Sequence, residues 1–365
     1  MSDPHLLVAI SGHGLGHLSQ ASAVINGLYA RWPGLRLSRR SPLATEVLQH
    51  WIHPAFVHHA GEDDIGMRMA SALDVDLAAS EAAYAELHQH WEARVGELAA
   101  WLQARRVTLV LADIAYLPLA AAQQAGIANV ALCSLNWADV MAHYLVGDEA
   151  QRWLAQAQQA YQRADRFLLP TPSMPMPWLH NTQAVAPIGR VGHAQRELLC
   201  KRLGVSAECH LVLVGMGGVG LSAPQHEWPL MIGTKPVHYL LPDAAVFDAS
   251  VGAEQTFHAI SSTEMEYHHL MASVDIMLTK PGYGTFVEAA ATGLPVLYVT
   301  RQGWPDVESL TSWLQEVGRA RSISREALDK GDFHHEMAEL LKAGRYPAVA
   351  PNGAAQVADL LLGDL

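Results

Sequence analysis

Cysteine is scarce in this chain. Cys133, Cys200 and Cys209 are the only three among 365 residues, too few for a disulfide scaffold, and an odd number of thiols suits a reducing compartment. Positive charge is also short: 24 Lys and Arg face 36 Asp and Glu, and a formal net charge of −12 argues against a broad nucleic-acid-binding face. The one basic run, Arg36, Arg39 and Arg40, reads as residues flanking a strand. No apolar run is long enough to span a membrane; the longest, 107–122, carries Asp113 and Pro118 and reads as strand, turn and helix. The opening MSDPHLLVAISGHG has no basic leader, so no signal peptide is expected and a cytoplasmic location follows. What is present is a 50% hydrophobic, 16% charged composition, typical of a globular enzyme and long enough for two domains. Histidine is abundant at 20 residues, but the pairs His58-His59, His268-His269 and His334-His335 lack the spacing of a zinc site, and no metal is expected there.

Short apolar strands alternate with Ala-rich helices, which predicts an α/β fold with parallel sheets covered on both faces. Strands are expected at 5–10, 35–39, 109–112 and 129–132, with helices at 18–29, near 81–105, at 117–125 and at 149–163. A proline-dense stretch then interrupts the pattern, and 171–192 is read as the connection between domains. The pattern restarts with strands at 211–214, 237–241, 256–260, 275–278 and 296–299 and helices at 264–272, 285–292, 306–317 and 325–341. The expected domains are 1–175, 188–345 and a tail helix over 346–365 that packs back toward the first.

The most informative segment is 275–299: a buried strand, a glycine turn, a short helix and a second buried strand. The turn through Lys280, Gly282, Tyr283, Gly284 and Thr285 lets a ligand approach the backbone, and the helix it opens offers free N–H groups to a diphosphate. Glu288, one turn further, can accept two hydrogen bonds from vicinal ribose hydroxyls. The loop Ser11-Gly12-His13-Gly14-Leu15-Gly16-His17 follows the first strand, where open α/β sheets place ligands. There Gly14 and Gly16 open room for an acceptor, His17 is the candidate general base with His13 beside it, and Asp113 at the end of another strand can orient the imidazole. A third loop, 301–308, offers Asp306 and Glu308 to sugar hydroxyls. Gly215–Gly220 fits G-x-G-x-x-G with Asp243 beyond it, so an NAD-dependent dehydrogenase is a rival reading. The prolines after it favour a backbone loop, Gly217 and Gly218 included, contacting phosphate or sugar in the cleft. Asp74-Val75-Asp76 mimics a metal-binding D-x-D but lacks a strand-end setting.

With SGHGLGHLSQ, the stretch 64–76, the stretch 111–137, KPGYGTFVEA and 301–308 in view, the chain resembles the GT-B glycosyltransferases. It is similar to the branch containing the peptidoglycan N-acetylglucosaminyl transferase, and more so to the glycosyltransferase-like half of L-arabinokinases. That resemblance implies two Rossmann-like domains facing a central cleft, with the second holding a nucleoside-diphosphate sugar as donor substrate and no cofactor or metal. It implies Glu288 at the ribose, the 280–285 turn at the diphosphate, backbone near Glu264 and Met265 at the base, and Asp113 paired with the catalytic histidine. The partners expected are a nucleotide sugar and a small-molecule or lipid-linked acceptor, without nucleic acid or an integral membrane segment, and with a homodimer left open. The expected activity is sugar transfer. A nucleotide-sugar hydrolase or epimerase, or a binding protein without turnover, stands as the alternative on the same fold.

Overall fold

The structure, a computed structural model, describes residues 4–71, 73–216, 225–242 and 256–365. The first half runs β1 (His5–Ile10), α1 (Leu15–Arg31), β2 (Arg36–Ser41), α2 (Thr45–Trp51), β3 (Val57–Ala60), α3 (Leu77–His88) and α4 (Trp91–Ala104). It continues with β4 (Leu109–Asp113), α5 (Tyr116–Ala125), β5 (Ala128–Leu132), α6 (Trp137–Tyr144), α7 (Asp148–Gln162), β6 (Arg166–Pro170) and β7 (Thr182–Val185). These strands pair in parallel in the order β3-β2-β1-β4-β5-β6-β7. Alternate residues of the buried strand β1 feed two layers, Leu6 and Val8 against α1, and Leu7 and Ala9 toward α4, α5 and α7.

The second half begins with α8 (Arg196–Leu203), β8 (His210–Gly215), β9 (Met231–Ile232), β10 (Lys235–Leu241), β11 (Phe257–Ala259), α9 (Tyr267–Ser273) and β12 (Ile276–Thr279). It ends with α10 (Tyr283–Thr292), β13 (Val296–Val299), α11 (Val307–Val317), β14 (Ala320–Ile323), α12 (Arg325–Asp329), α13 (His334–Ala343) and α14 (Gly353–Leu362). Its sheet has the order β11-β10-β8-β12-β13-β14, with β9 added antiparallel on β10. The strands β8, β12 and β13 are buried on both faces, which is why they read as continuous apolar runs. The closing helix α14 returns to the first half, where Val357, Ala358 and Leu361 join the layer of Leu18 and Leu28.

Several elements differ from the sequence expectation. The helix expected near 81–105 is two, α3 and α4; Tyr84, Leu87, Trp91, Val95 and Leu98 keep an apolar rhythm across the turn between them, which hides the break in the sequence. The connection expected over 171–192 contains β7, so the first sheet continues to Val185, beyond residue 175. Three of the four residues of β7 are exposed, and an edge strand of that kind carries no apolar signal. The basic run lies inside β2 rather than beside it: Arg39 is buried over the Phe56 ring at 3.3 Å, and Arg40 reaches the buried Asp63 at 2.6 Å. Asp76 caps α3 through the Ala79 N–H at 2.9 Å, and Asp74 pairs with Arg325 of the other half at 2.9 Å, so the D-x-D has a structural task. Among the described residues no helix is long and apolar enough to cross a membrane.

Candidate active site

In a parallel sheet the strand order reverses at one point, and the two crossover connections there leave on opposite faces, opening a crevice at the strands' carboxyl ends. The first sheet reverses between β1 and β4, the second between β8 and β12. Both crevices open into one cleft of about 880 Å³ lined by the loops after β1, β12 and β13 and by segment 62–69.

On the first side, Gly14 (φ +79°) turns the chain into α1, which has no side-chain cap. His17, in the first turn of α1, is buried and presents Nδ1 to Asp113 Oδ1 at 2.9 Å. The pair forms because β1 and β4 are neighbours with Ile10 in register with Asp113. Cys133, after β5, lies 3.8 Å from the same nitrogen. Burial opposes the charged imidazole, but Cys133 and Asp113 outweigh it and hold His17 well above its ordinary value. Burial also raises Asp113 and the Cys133 thiol. Among the described residues these three form the one His, Cys and carboxylate set whose atoms all lie within 4.8 Å of one another. With Nδ1 hydrogen-bonded to Asp113, Nε2 is the nitrogen left for a substrate proton.

His13 stacks on Trp304 from the other half (5.7 Å between centroids) and meets Trp137 edge-on at 5.0 Å. Burial, then the positive fields of His17 and Lys280, push it down to about 3, so it stays neutral and serves as a wall. Gly66 (φ +59°) passes so close that a Cβ would fall 2.8 Å from His13 Nδ1. Asp64 beside it accepts from Trp137 Nε1 at 2.6 Å, and burial raises its carboxyl to about 6.

On the second side, Gly282 opens α10 without a side-chain cap, and a Cβ built on Gly282 or Gly284 would meet no atom within 4 Å. Neither has a positive φ. Packing therefore does not require glycine at either place, whereas a ligand approaching the helix start would. Lys280 precedes this turn; burial and the nearby Arg301 push its ammonium down to about 8. Asp306, after β13, is buried and raised to about 6 by burial, with Arg301 and Lys280 opposing. It makes no side-chain cap to α11.

Several expected roles change. Glu288 lines the cleft as expected but is not free of partners: Oε1 accepts from Arg190 Nε at 3.0 Å and Arg190 N at 3.3 Å, with Ser19 Oγ at 3.4 Å. Arg190 stacks on Trp51 at 3.9 Å, and Gly189 passes α10 where a Cβ would lie 2.8 Å from Val287. Tyr283 is also occupied, its hydroxyl donating to Thr171 O at 3.2 Å and accepting from Ile188 N at 2.9 Å, which ties α10 to the connection. Met265 does not line the cleft; its N–H goes to Thr263 Oγ1 at 3.3 Å, the carbonyl of Glu264 accepts from Arg202, and Ile260 and Tyr267 form the wall there instead. Glu308 is exposed on α11, away from the cleft. Gly217, Gly218 and Asp243 lie outside the described residues, and Gly215 faces the Tyr267 hydroxyl, 2.3 Å from where a Cβ would stand. Motif and spacing assign no site role to Arg190, Tyr267, Asp64 or Cys133. Cys133 directly follows β5, and that strand-end position was the one available signal for it.

No family model matches the chain. It is 27% identical over 323 residues to L-arabinokinase of Arabidopsis thaliana, across 86% of this chain but 30% of that protein, so it spans less than two thirds of that relative. Among solved structures it is similar to UGT89C1 of Arabidopsis thaliana complexed with UDP (TM-score 0.63, 14% identity, 99% of each chain). It is equally similar to a UDP-glucosyltransferase from Polygonum tinctorium capable of glucosylating indoxyl (TM-score 0.62, 14% identity, 98% of each chain). The fold is therefore GT-B, two parallel-sheet α/β domains, as the resemblance implied.

Proposed function

We propose that the chain is a glycosyltransferase that moves a sugar from a nucleoside-diphosphate donor to an acceptor hydroxyl, with His17 as general base. The observation that carries this is the His17–Asp113 pair at 2.9 Å, whose His17 lines the same cleft as the uncapped start of α10. The acceptor oxygen attacks the anomeric carbon as its proton passes to His17 Nε2. The bond from that carbon to the diphosphate breaks with its electrons on the leaving oxygen, which inverts the anomeric centre. Asp113 holds the imidazole in the tautomer that leaves Nε2 free and stabilises the imidazolium that forms. The α10 amides and Lys280 meet the charge growing on the diphosphate. Because they supply the positive charge a divalent ion would otherwise bring, turnover is expected to persist in a chelator.

Thermal shift against UDP, GDP, dTDP, ADP and NAD identifies the ligand class through linkage, and a nucleoside diphosphate is expected to give the rise. A shift with NAD alone would end the proposal. Donor turnover is then measured with and without acceptor mixtures; free sugar released at the same rate in both would identify a hydrolase.

A further inference from the structure

Among the described residues Arg301 is a cation without an ion-pair partner. It is nine-tenths buried in the cleft wall, its Nε has no partner, and its described contacts are the Met69 sulfur at 3.8 Å and the Trp304 ring at 3.9 Å. No carboxylate among the described residues lies within ion-pair distance: Glu62 serves Arg68, Asp74 serves Arg325, and Asp306 is not paired with it. A buried guanidinium with no ion-pair partner is costly: burial lowers Arg301 from its ordinary value, and Tyr144, Asp306 and Asp74 oppose that only from beyond pairing distance. In the donor reading the α10 start and Lys280, at the loop after β12, already meet the diphosphate, and Arg301 is near enough to depress the Lys280 ammonium. Arg301 stands on the next loop, after β13, beside Asp306 and Trp304, which stacks on His13 near the base. In the donor reading on which this inference rests, that is the sugar end of the cleft.

We infer that the donor sugar carries a carboxylate, a uronic acid, and that Arg301 is the specificity residue that takes it in a two-pronged pairing. The planar guanidinium matches a carboxylate edge, whereas a lysine there would act as a point charge.

The test uses the nucleoside diphosphate that thermal shift selects, measured calorimetrically in three forms: alone, joined to glucose, and joined to glucuronate or galacturonate. The wild-type chain is expected to bind a uronate form at least about tenfold more tightly than the glucose form. Arg301→Gln should abolish that preference while leaving the bare diphosphate within about twofold, which also reports that the variant is folded; Arg301→Lys should restore part of it. Equal affinities in the wild type would overturn the inference. So would a uniform loss across all three forms in Arg301→Gln, which would assign the arginine to the diphosphate or to packing. Free glucuronate binding to the diphosphate-saturated protein, with both conjugates bound alike, would move the carboxylate to the acceptor and equally overturn it. Failure of every nucleoside diphosphate to bind would instead remove the donor reading itself, and this inference with it.

Discussion

The starts of α1 and α10 are built alike and equipped differently. Each follows a buried parallel strand and a glycine, has no side-chain cap, and opens at the switch point of its sheet. At α1 the first turn carries His17, held by Asp113 in a buried pair. At α10 the first turn carries Tyr283, Gly284 and Thr285 and no titrating base, with Lys280 ahead and Glu288 behind, the latter held by Arg190. The shared backbone supplies an anion-friendly helix end in both places, and a few side chains divide the labour into proton transfer on one side and charge binding on the other.

That division predicts variants that separate the two sides. His17→Ala should lower kcat by about 10²- to 10⁴-fold with nucleoside-diphosphate affinity unchanged, read by initial rates and calorimetry. Asp113→Asn should cost less and also move the pH profile. The base must be unprotonated, so the wild-type rate should rise with pH through a midpoint above the ordinary histidine value, and removing the carboxylate should lower that midpoint. The α10 side has the opposite slope: Lys280 is charged only below about 8, so diphosphate affinity should fall as pH climbs through that value. Gly284→Ala should lower diphosphate affinity by roughly tenfold while raising Tm, since Ala is favoured over Gly in a helix by about 0.5–1 kcal/mol and the added methyl meets only ligand space. Equal losses on both sides from any of these variants would mean that the helix starts do not act separately. At the small end, Asp74→Asn breaks an exposed pair between the halves and should cost at most about 1 kcal/mol in denaturant titration, with little effect on rate.

Much of this comparison was legible before the structure. Strict alternation of apolar strands with helices, and glycines at strand ends, gave the two sheets, the positions of His17 and Asp113, and the α10 turn. Those signals are local, set by backbone period and by the conformations glycine allows. The edge strand β7 was not legible, because its exposed residues carry no apolar rhythm. The break between α3 and α4 was hidden by a continuous one. The partners of Glu288 and Tyr283 were not legible either, since Arg190 and Thr171 come from a proline-dense stretch with no pattern of its own.

Sequence by itself determined the layer architecture, the two glycine-opened helices and the chemistry each could carry, because these depend on residue type and spacing along one segment. Only the tertiary structure decided which charges are matched. It gave Glu288 to Arg190, Asp74 to Arg325 and Asp113 to His17, and left Arg301 with none among the described residues, because partnership between charges depends on the distance and burial that the folded chain imposes across its two halves.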